Sequence, residues 1–235
     1  MSPAAQYAIE MWDPPSLPVS GSSERFPVRH VFCVGRNYAE HAREMGHDSS
    51  KEPPFFFTKS AHAVVAVGNG GITLPFPKMT ENLHHEIEMT VAIGKGGKNI
   101  PADKALEHVY GYGVGLDMTR RDLQQTAKDM RRPWSFGKDF DEAAPMGPIL
   151  AVAGGKHPSG AIWLKVNGAT KQQGELKDMI WSVADMIAYL SQFYMLHPGH
   201  VIMSGTPAGV GPVVGGDTLV GHVDGLGEIE VRYAR

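Results

Sequence analysis

At 235 residues the chain is long enough to bury a substantial core, and its net charge of −3, with no basic stripe, argues against a nucleic-acid footprint. Hydrophobic residues at 42% and charged residues at 20% are the ordinary balance of a soluble globular protein, and the longest uncharged run, Met195 to Gly216, is broken by too many Gly and Pro to span a membrane. One cysteine, Cys33, permits no internal disulfide, and the N-terminus lacks a basic-then-apolar leader, so the expectation is a reduced, cytoplasmic protein.

In chain order, residues 1–28 carry Pro14, Pro15, Pro18 and a Ser/Gly cluster at 20–23, which read as an extended arm ahead of a domain over 29–235. Val31 to Val34 is a short strand with Cys33 as a packed thiol, and Gly35 turns into a helix-forming stretch that runs to Met45. The runs 55–57 and 64–67 are strand-like, with a turn at 68–71. From Glu86 to Ile93 the pattern alternates, which sets Glu86 and Glu88 on one face of a strand. Adjacent like charges on one face repel and lose hydration, so a cation between them is the natural reason for the pair. A Glu-x-Glu pair taken alone is more often a solvated face with basic partners across the sheet. His85-Glu86 also begins like a zinc-protease motif, but Met89 stands where the second His is required. Gly94 to Gly97 lacks the spacing of a phosphate loop and reads as a turn.

A third carboxylate, Asp117, ends the strand-like run from Tyr110, and three oxygen donors without a thiolate suit a hard ion such as Mg²⁺ or Mn²⁺. Thr119 and Asp122 match a capping box and predict a helix over about 120–130, which would place Asp117 just before a helix N-terminus. Cations are disfavoured there, so at least one of Arg120 and Arg121 should meet a carboxylate. Residues 162–167 alternate as a strand. Ser182 and Asp185 form a second capping signature, followed by an apolar stripe of Val183, Met186, Ile187, Leu190, Phe193 and Tyr194 that stops at Pro198-Gly199. The Gly-rich C-terminal third holds short strands. With about three helices among many strands, the class is α+β with a mainly β core.

Taken together and in order, Gly35 to Met45, Asn82 to Glu88, Leu116 to Gln124, Phe136-Gly-Lys138, Leu164 to Gly168 and Ser204 to Gly211 resemble the fumarylacetoacetate hydrolase family. The resemblance implies a mixed β-rich fold, a homodimer, and one Mg²⁺ or Mn²⁺ ion per subunit held by Glu86, Glu88 and Asp117. It also implies catalysis by His41, Glu44 and Lys138. His41 would be the base for water, Glu44 its orienting partner three residues on, and Lys138 the charge facing a developing oxyanion. Substrate-binding positions fall at Arg36, Tyr38, Lys59, Arg121, Gln124 and Thr206. His84 and His85 would support the site without ligating. Without the resemblance, His41 reads as a surface His and Lys138 beside Asp139 as a surface pair. The substrates implied are 2-oxo and 2,4-dioxo acids. The Pro-rich arm, Arg25 to Arg29 and Glu52 to Phe57 look most like the bacterial hydrolases of fumarylpyruvate in gentisate breakdown, while acylpyruvases and oxaloacetate decarboxylases share the motifs. Ser60-Ala61 follows Lys59 where relatives commonly have Pro, which bears on a pocket wall.

Overall fold

The computed structural model describes residues 7–44, 53–152 and 155–235, with the side chains of residues 42 and 44 outside that set. Its frame is a mixed sheet whose hydrogen-bonded order is Phe55–Lys59, His30–Gly35, His200–Met203, Ile87–Ile93, Val109–Leu116, Ala144–Met146 and Val64–Ala66, with Leu150–Ala151 paired to Val109–Leu116. A second sheet runs Ala169–Glu175, Ala161–Val166, Thr218–Val223, Gly227–Tyr233 and Ile72–Leu74. Strands dominate, as expected. Among the described residues five α-helices occur rather than three: α1 (Ala39–Glu44), α2 (Ala102–Ala105), α3 (Arg121–Asp129), α4 (Ser135–Lys138) and α5 (Val183–Phe193). Three of them are too short to leave a periodic signal in sequence.

Ile87–Ile93 sits at the middle of the large sheet and every residue in it is buried. Ile87, Met89, Val91 and Ile93 point into the main core with Ile162, Leu164, Leu219 and Val231 of the second sheet. The other face, with Ala92, packs against Val31, Cys33, Met146 and Val201. The alternate glycines of Val109–Leu116 explain why that face can be crowded: a Cβ on Gly113 would lie 2.9 Å from Thr90 Oγ1, and one on Gly115 2.7 Å from Thr90 Cγ2. Gly115 is the cross-strand partner of Glu88, so the same small-residue face leaves room beside that carboxylate.

Several local expectations change in the fold. The arm is not loose throughout, because Ser16–Pro18 and Arg25–Pro27 pair as a hairpin that buries Leu17, Val19, Phe26 and Val28 in the second core cluster. The box at Thr119 does not form. Thr119–Arg120 is captured as a strand against Leu83–His84, its hydroxyl donates to the Asp117 carbonyl, and Asp122 accepts from Thr80 Oγ1 and Glu81 N instead. Helix α3 therefore starts at Arg121 without a side-chain cap. The second box does form, with Ser182 and Asp185 each accepting from the other's backbone N–H. Val183, Met186, Ile187 and Leu190 are buried as predicted, whereas Phe193 and Tyr194 at the end of the stripe are exposed.

Asn37 fastens the loop ahead of α1 to the rest of the fold. Its Nδ2 donates to the carbonyls of Trp181 (2.9 Å) and Ser204 (2.8 Å), and its Oδ1 accepts from Trp181 N (2.7 Å). Truncation leaves buried backbone groups unpaired, so Asn37→Ala should lower unfolding free energy by about 2–3 kcal/mol. Urea denaturation should show an earlier midpoint at unchanged slope.

Candidate active site

Two chain crossings meet at one level and create the site. Glu86 is the joint where the chain leaves Leu83–His85, a strand of a small three-stranded sheet, and enters Ile87–Ile93. Asp117 is the joint where Val109–Leu116 leads back to Thr119–Arg120 in that small sheet. The Asp117 amide donates to the Glu86 carbonyl at 2.9 Å, which locks the joints together. Glu86, Glu88 and Asp117 are all buried, and one carboxylate oxygen from each lies within 4.8 Å of the others.

Cations hold this cluster. Lys138, at the end of α4, donates to Glu86 Oε2 at 2.8 Å and to Asp117 Oδ2 at 2.6 Å. Arg121, at the start of α3, pairs with Glu86 Oε1 and donates to Gln124 Oε1 at 2.7 Å. Lys59 Nζ lies 2.8 Å from Asp117 Oδ1 as an ion pair, although the alignment is not that of a hydrogen bond. Among the described residues Glu88 has no ion-pair partner. Its Oε2 accepts the amide of Gly205, at 2.7 Å, and a Cβ on Gly205 (φ 90°) would lie 2.6 Å from Asn37 Cβ.

The electrostatics follow this division. Burial pushes the Glu88 carboxyl well above the usual range, and the charges of Asp117 and Glu86 push it further. Burial also works against ionised Glu86, but Lys138 and Arg121 more than offset it and hold that carboxyl well below the usual range. For Lys138, burial opposes the charge and Asp117 and Glu86 outweigh it, so its ammonium is stabilised. The donor set fits a hard divalent ion: it is all oxygen, dry and closely grouped, and Asp117 Oδ1 lacks a hydrogen bond. The ligands would be Glu86, Glu88 and Asp117.

Around the carboxylates lies a cavity of about 40 Å³ lined by Arg36, His41, Phe55, Phe57, Arg121, Gln124, Lys128, Trp134, Lys138 and Thr206. A larger hollow of about 440 Å³ adjoins it and shares Phe55, Phe57, Trp134 and Lys138 as lining. His41 is 7% exposed on α1, and its charge is felt at Glu86. The sequence expects a lid over Asn37 to Ser50, between the Gly35 turn and the Gly46–Ser50 stretch, and of that segment the side chain of Glu44 and residues 45–50 lie outside the described residues. Arg36 has a left-handed backbone (φ 58°) and stands 5.1 Å from the Phe55 ring centre. Thr206 accepts from Gln172 Nε2 at 2.7 Å, and Gln172 Oε1 in turn accepts from His85 Nδ1 at 2.8 Å and from Ile87 N. His84 meets Asn82 Oδ1 and Arg121, and burial with the Arg121 charge lowers its pKa to about 4. Neither histidine belongs to the carboxylate cluster.

Two expected substrate contacts are placed elsewhere. Tyr38 is buried in the main core with its hydroxyl unpartnered among the described residues, its backbone bridged to Met179, and it does not line the cavity. Lys59 is fully buried behind Asp117. Arg120 stacks on Phe140 at 4.2 Å, leaving Arg121 as the arginine that meets a carboxylate. Lys128 and the aromatic wall of Phe55, Phe57 and Trp134 were missing from the sequence reading. The spacing of Arg121, Gln124 and Lys128 along a predicted helix could have revealed the lysine.

A family model for the fumarylacetoacetate (FAA) hydrolase C-terminal region matches residues 30–233. A fumarylpyruvate hydrolase from Ralstonia sp. is 47% identical over 184 residues, covering 78% of this chain and 94% of its own. A mitochondrial oxaloacetate tautomerase from Arabidopsis thaliana is 40% identical over 206 residues, covering 87% and 91% respectively. Among solved structures, a fumarylpyruvate hydrolase from Pseudomonas aeruginosa in complex with Mn²⁺ and pyruvate superposes with a TM-score of 0.95 at 51% identity, covering 97% of this chain and 99% of that one.

The uneven distribution of cations separates the two glutamates. Glu86→Gln removes the ion-pair partner of Arg121 and one of the two carboxylates of Lys138, and should cost about 3 kcal/mol in metal-free protein. Glu88→Gln replaces a carboxyl that carries no ion pair and should change stability by less than about 1 kcal/mol. Both variants should lose the thermal stabilisation that Mn²⁺ confers on the wild type. Equal destabilisation by the two would contradict the assignment of cations.

Proposed function

The chain belongs to the fumarylacetoacetate hydrolase family of enzymes, and we propose that it hydrolyses the C3–C4 bond of a 2,4-dioxo acid, 3-fumarylpyruvate, to fumarate and pyruvate. The observation that carries this reading is the convergence of three buried carboxylates, a histidine and several cations on one cavity. The similarity to fumarylpyruvate hydrolases, one of them in complex with Mn²⁺ and pyruvate, supports it.

A divalent ion held by Glu86, Glu88 and Asp117 would supply positive charge to the substrate's C1 carboxylate and C2 oxygen, where negative charge collects as the bond breaks. His41, at the mouth of the cluster, takes a proton from the water that attacks C4. Glu44 follows it by three residues on α1 and is proposed to orient the imidazole. The electron pair of the C3–C4 bond passes into the enolate of pyruvate, and the proton taken by His41 is the one C3 then requires. Lys138 and Gln124 supply an ammonium and an amide to the oxygens that gain charge. In the structure the Lys138 ammonium is bound to Glu86 and Asp117, so its catalytic use requires those oxygens to be satisfied by another cation. Arg121 and Thr206 are positioned to bind substrate, and Lys59 acts through Asp117.

We further propose Mg²⁺ or Mn²⁺ as the working ion, a homodimeric assembly, a cytoplasmic setting and a place in gentisate breakdown. No helix among the described residues is long and apolar enough to cross a membrane. A second reading, oxaloacetate as substrate of a decarboxylase or a tautomerase, is favoured by the similarity to oxaloacetate tautomerases. His41 separates hydrolysis from decarboxylation, since hydrolysis needs a base for water and decarboxylation does not, whereas tautomerisation moves a proton and needs a base as well.

Purified protein should hydrolyse fumarylpyruvate faster than acetylpyruvate or oxaloacetate is consumed, should lose activity on exhaustive chelation and should regain it with Mn²⁺ or Mg²⁺. His41→Ala should lower hydrolysis by about 10²-fold or more while Mn²⁺ still stabilises the protein. Full activity after chelation, or turnover of oxaloacetate alone, would overturn the reading.

A further inference from the structure

Helix α3 turns one face to the cavity, and Arg121, Gln124 and Lys128 lie along it. Their i, i+3, i+7 spacing keeps all three on one side over about 10 Å of helix axis. Arg121 is occupied by Glu86 and Gln124. Lys128, two turns further on, has no carboxylate partner among the described residues. Its ammonium stands 5.3 Å from the ring centre of Trp134, which lines both the carboxylate cavity and the adjoining hollow. The charges that act on it are mostly like its own: Arg121, Arg36 and Lys138, against the single opposite charge of Glu86.

A half-buried ammonium among cations is an unfavourable arrangement unless an anion joins it. The direction of its pKa agrees, since burial and then the charges of Arg121 and Arg36 lower it. The three-carboxylate cluster fixes one end of the substrate. Lys128 and Trp134 line the same cavity as the three carboxylates, so the other end of the substrate would run along α3 toward the Lys128 ammonium beside Trp134.

Building on the acylpyruvate reading, we propose that Lys128 binds a carboxylate at the far end of the acyl group and makes the enzyme select acylpyruvates whose acyl chain ends in a carboxylate. Trp134 holds the ammonium by its ring face while leaving the N–H groups toward the ligand. The preference is thus built on α3, the helix whose first residue grips the metal-site carboxylate Glu86.

The test uses two ligands that lack a C4 carbonyl and so cannot be cleaved, 2-oxoheptanedioate and 2-oxoheptanoate, titrated calorimetrically into Mn²⁺-loaded protein. The first carries carboxylates at the same separation along its chain as fumarylpyruvate, and the second lacks the distal one. Wild type should bind the dioate about tenfold or more tightly. Lys128→Met should remove that preference by weakening the dioate alone, and Lys128→Arg should retain it. In turnover, Lys128→Met should raise KM for fumarylpyruvate and leave acetylpyruvate unchanged. A wild type that binds the two ligands alike, or a preference unaltered by Lys128→Met, would overturn the proposal. Hydrolysis of fumarylpyruvate with no role for Lys128 would leave the functional reading standing. Loss of the dioate preference in the variant, with no acylpyruvate hydrolysed by wild type, would retain the Lys128 site and remove the hydrolase reading.

Discussion

The bond from the Lys138 ammonium to both Glu86 and Asp117 is the interaction on which the site depends. Three carboxylates in a dry interior repel one another, and none of them could be ionised there without nearby positive charge. Lys138 shares itself between two of them, Arg121 supports one from the side, and Lys59 supports another from behind. Among the described residues Glu88 is left without an ion-pair partner, with burial and two like charges opposing its ionisation. The three cations are therefore unevenly placed, all on Glu86 and Asp117, and a divalent ion shared by the three carboxylates would bring positive charge to Glu88.

The fold serves this arrangement by making two strands cross between sheets at the same level. Glu86 and Asp117 occupy these joints, and the amide of one residue meets the carbonyl of the other. Glycine at 115 leaves room beside Glu88, and Gly205, in a left-handed conformation against Asn37, brings its amide to the same carboxylate. Asn37 in turn ties the loop before α1 to the segments at 181 and 204. The polar chain from His85 through Gln172 to Thr206 reaches the opposite wall of the cavity. The helices that bear Lys138 and Arg121 are thus fixed by buried polar contacts to the carboxylates themselves, and the segment that leads to His41 is fixed to the loops at 181 and 204.

What could be read from sequence was whatever depends on near neighbours in the chain. Glu86 and Glu88 announce themselves because strand alternation is local, and Ser182 with Asp185 because a capping box spans one helical turn. The Thr119 box failed for the opposite reason: a distant strand, Leu83–His85, pairs with Thr119 and a distant threonine takes Asp122. Tyr38 lies in a segment that does reach the cavity at Arg36 and His41, but its own ring faces the core, a matter of tertiary packing. The segment 16–28 reads as an arm because its prolines and its Ser/Gly cluster mask Leu17, Val19, Phe26 and Val28, which are buried only against a remote part of the sheet. Lys59 and Lys138 could be assigned to the site by resemblance, yet their shared task of neutralising Asp117 appears only in three dimensions.

Lys138 and a divalent ion would compete for the same oxygens. A crystal structure of the Mn²⁺-loaded protein, with the ion located by its anomalous scattering, is the decisive measurement. One ion per chain is expected among Glu86, Glu88 and Asp117, with the Lys138 ammonium withdrawn from at least one of its two carboxylates and turned toward the cavity. An ion bound elsewhere, or one bound there with both Lys138 contacts unchanged, would contradict it.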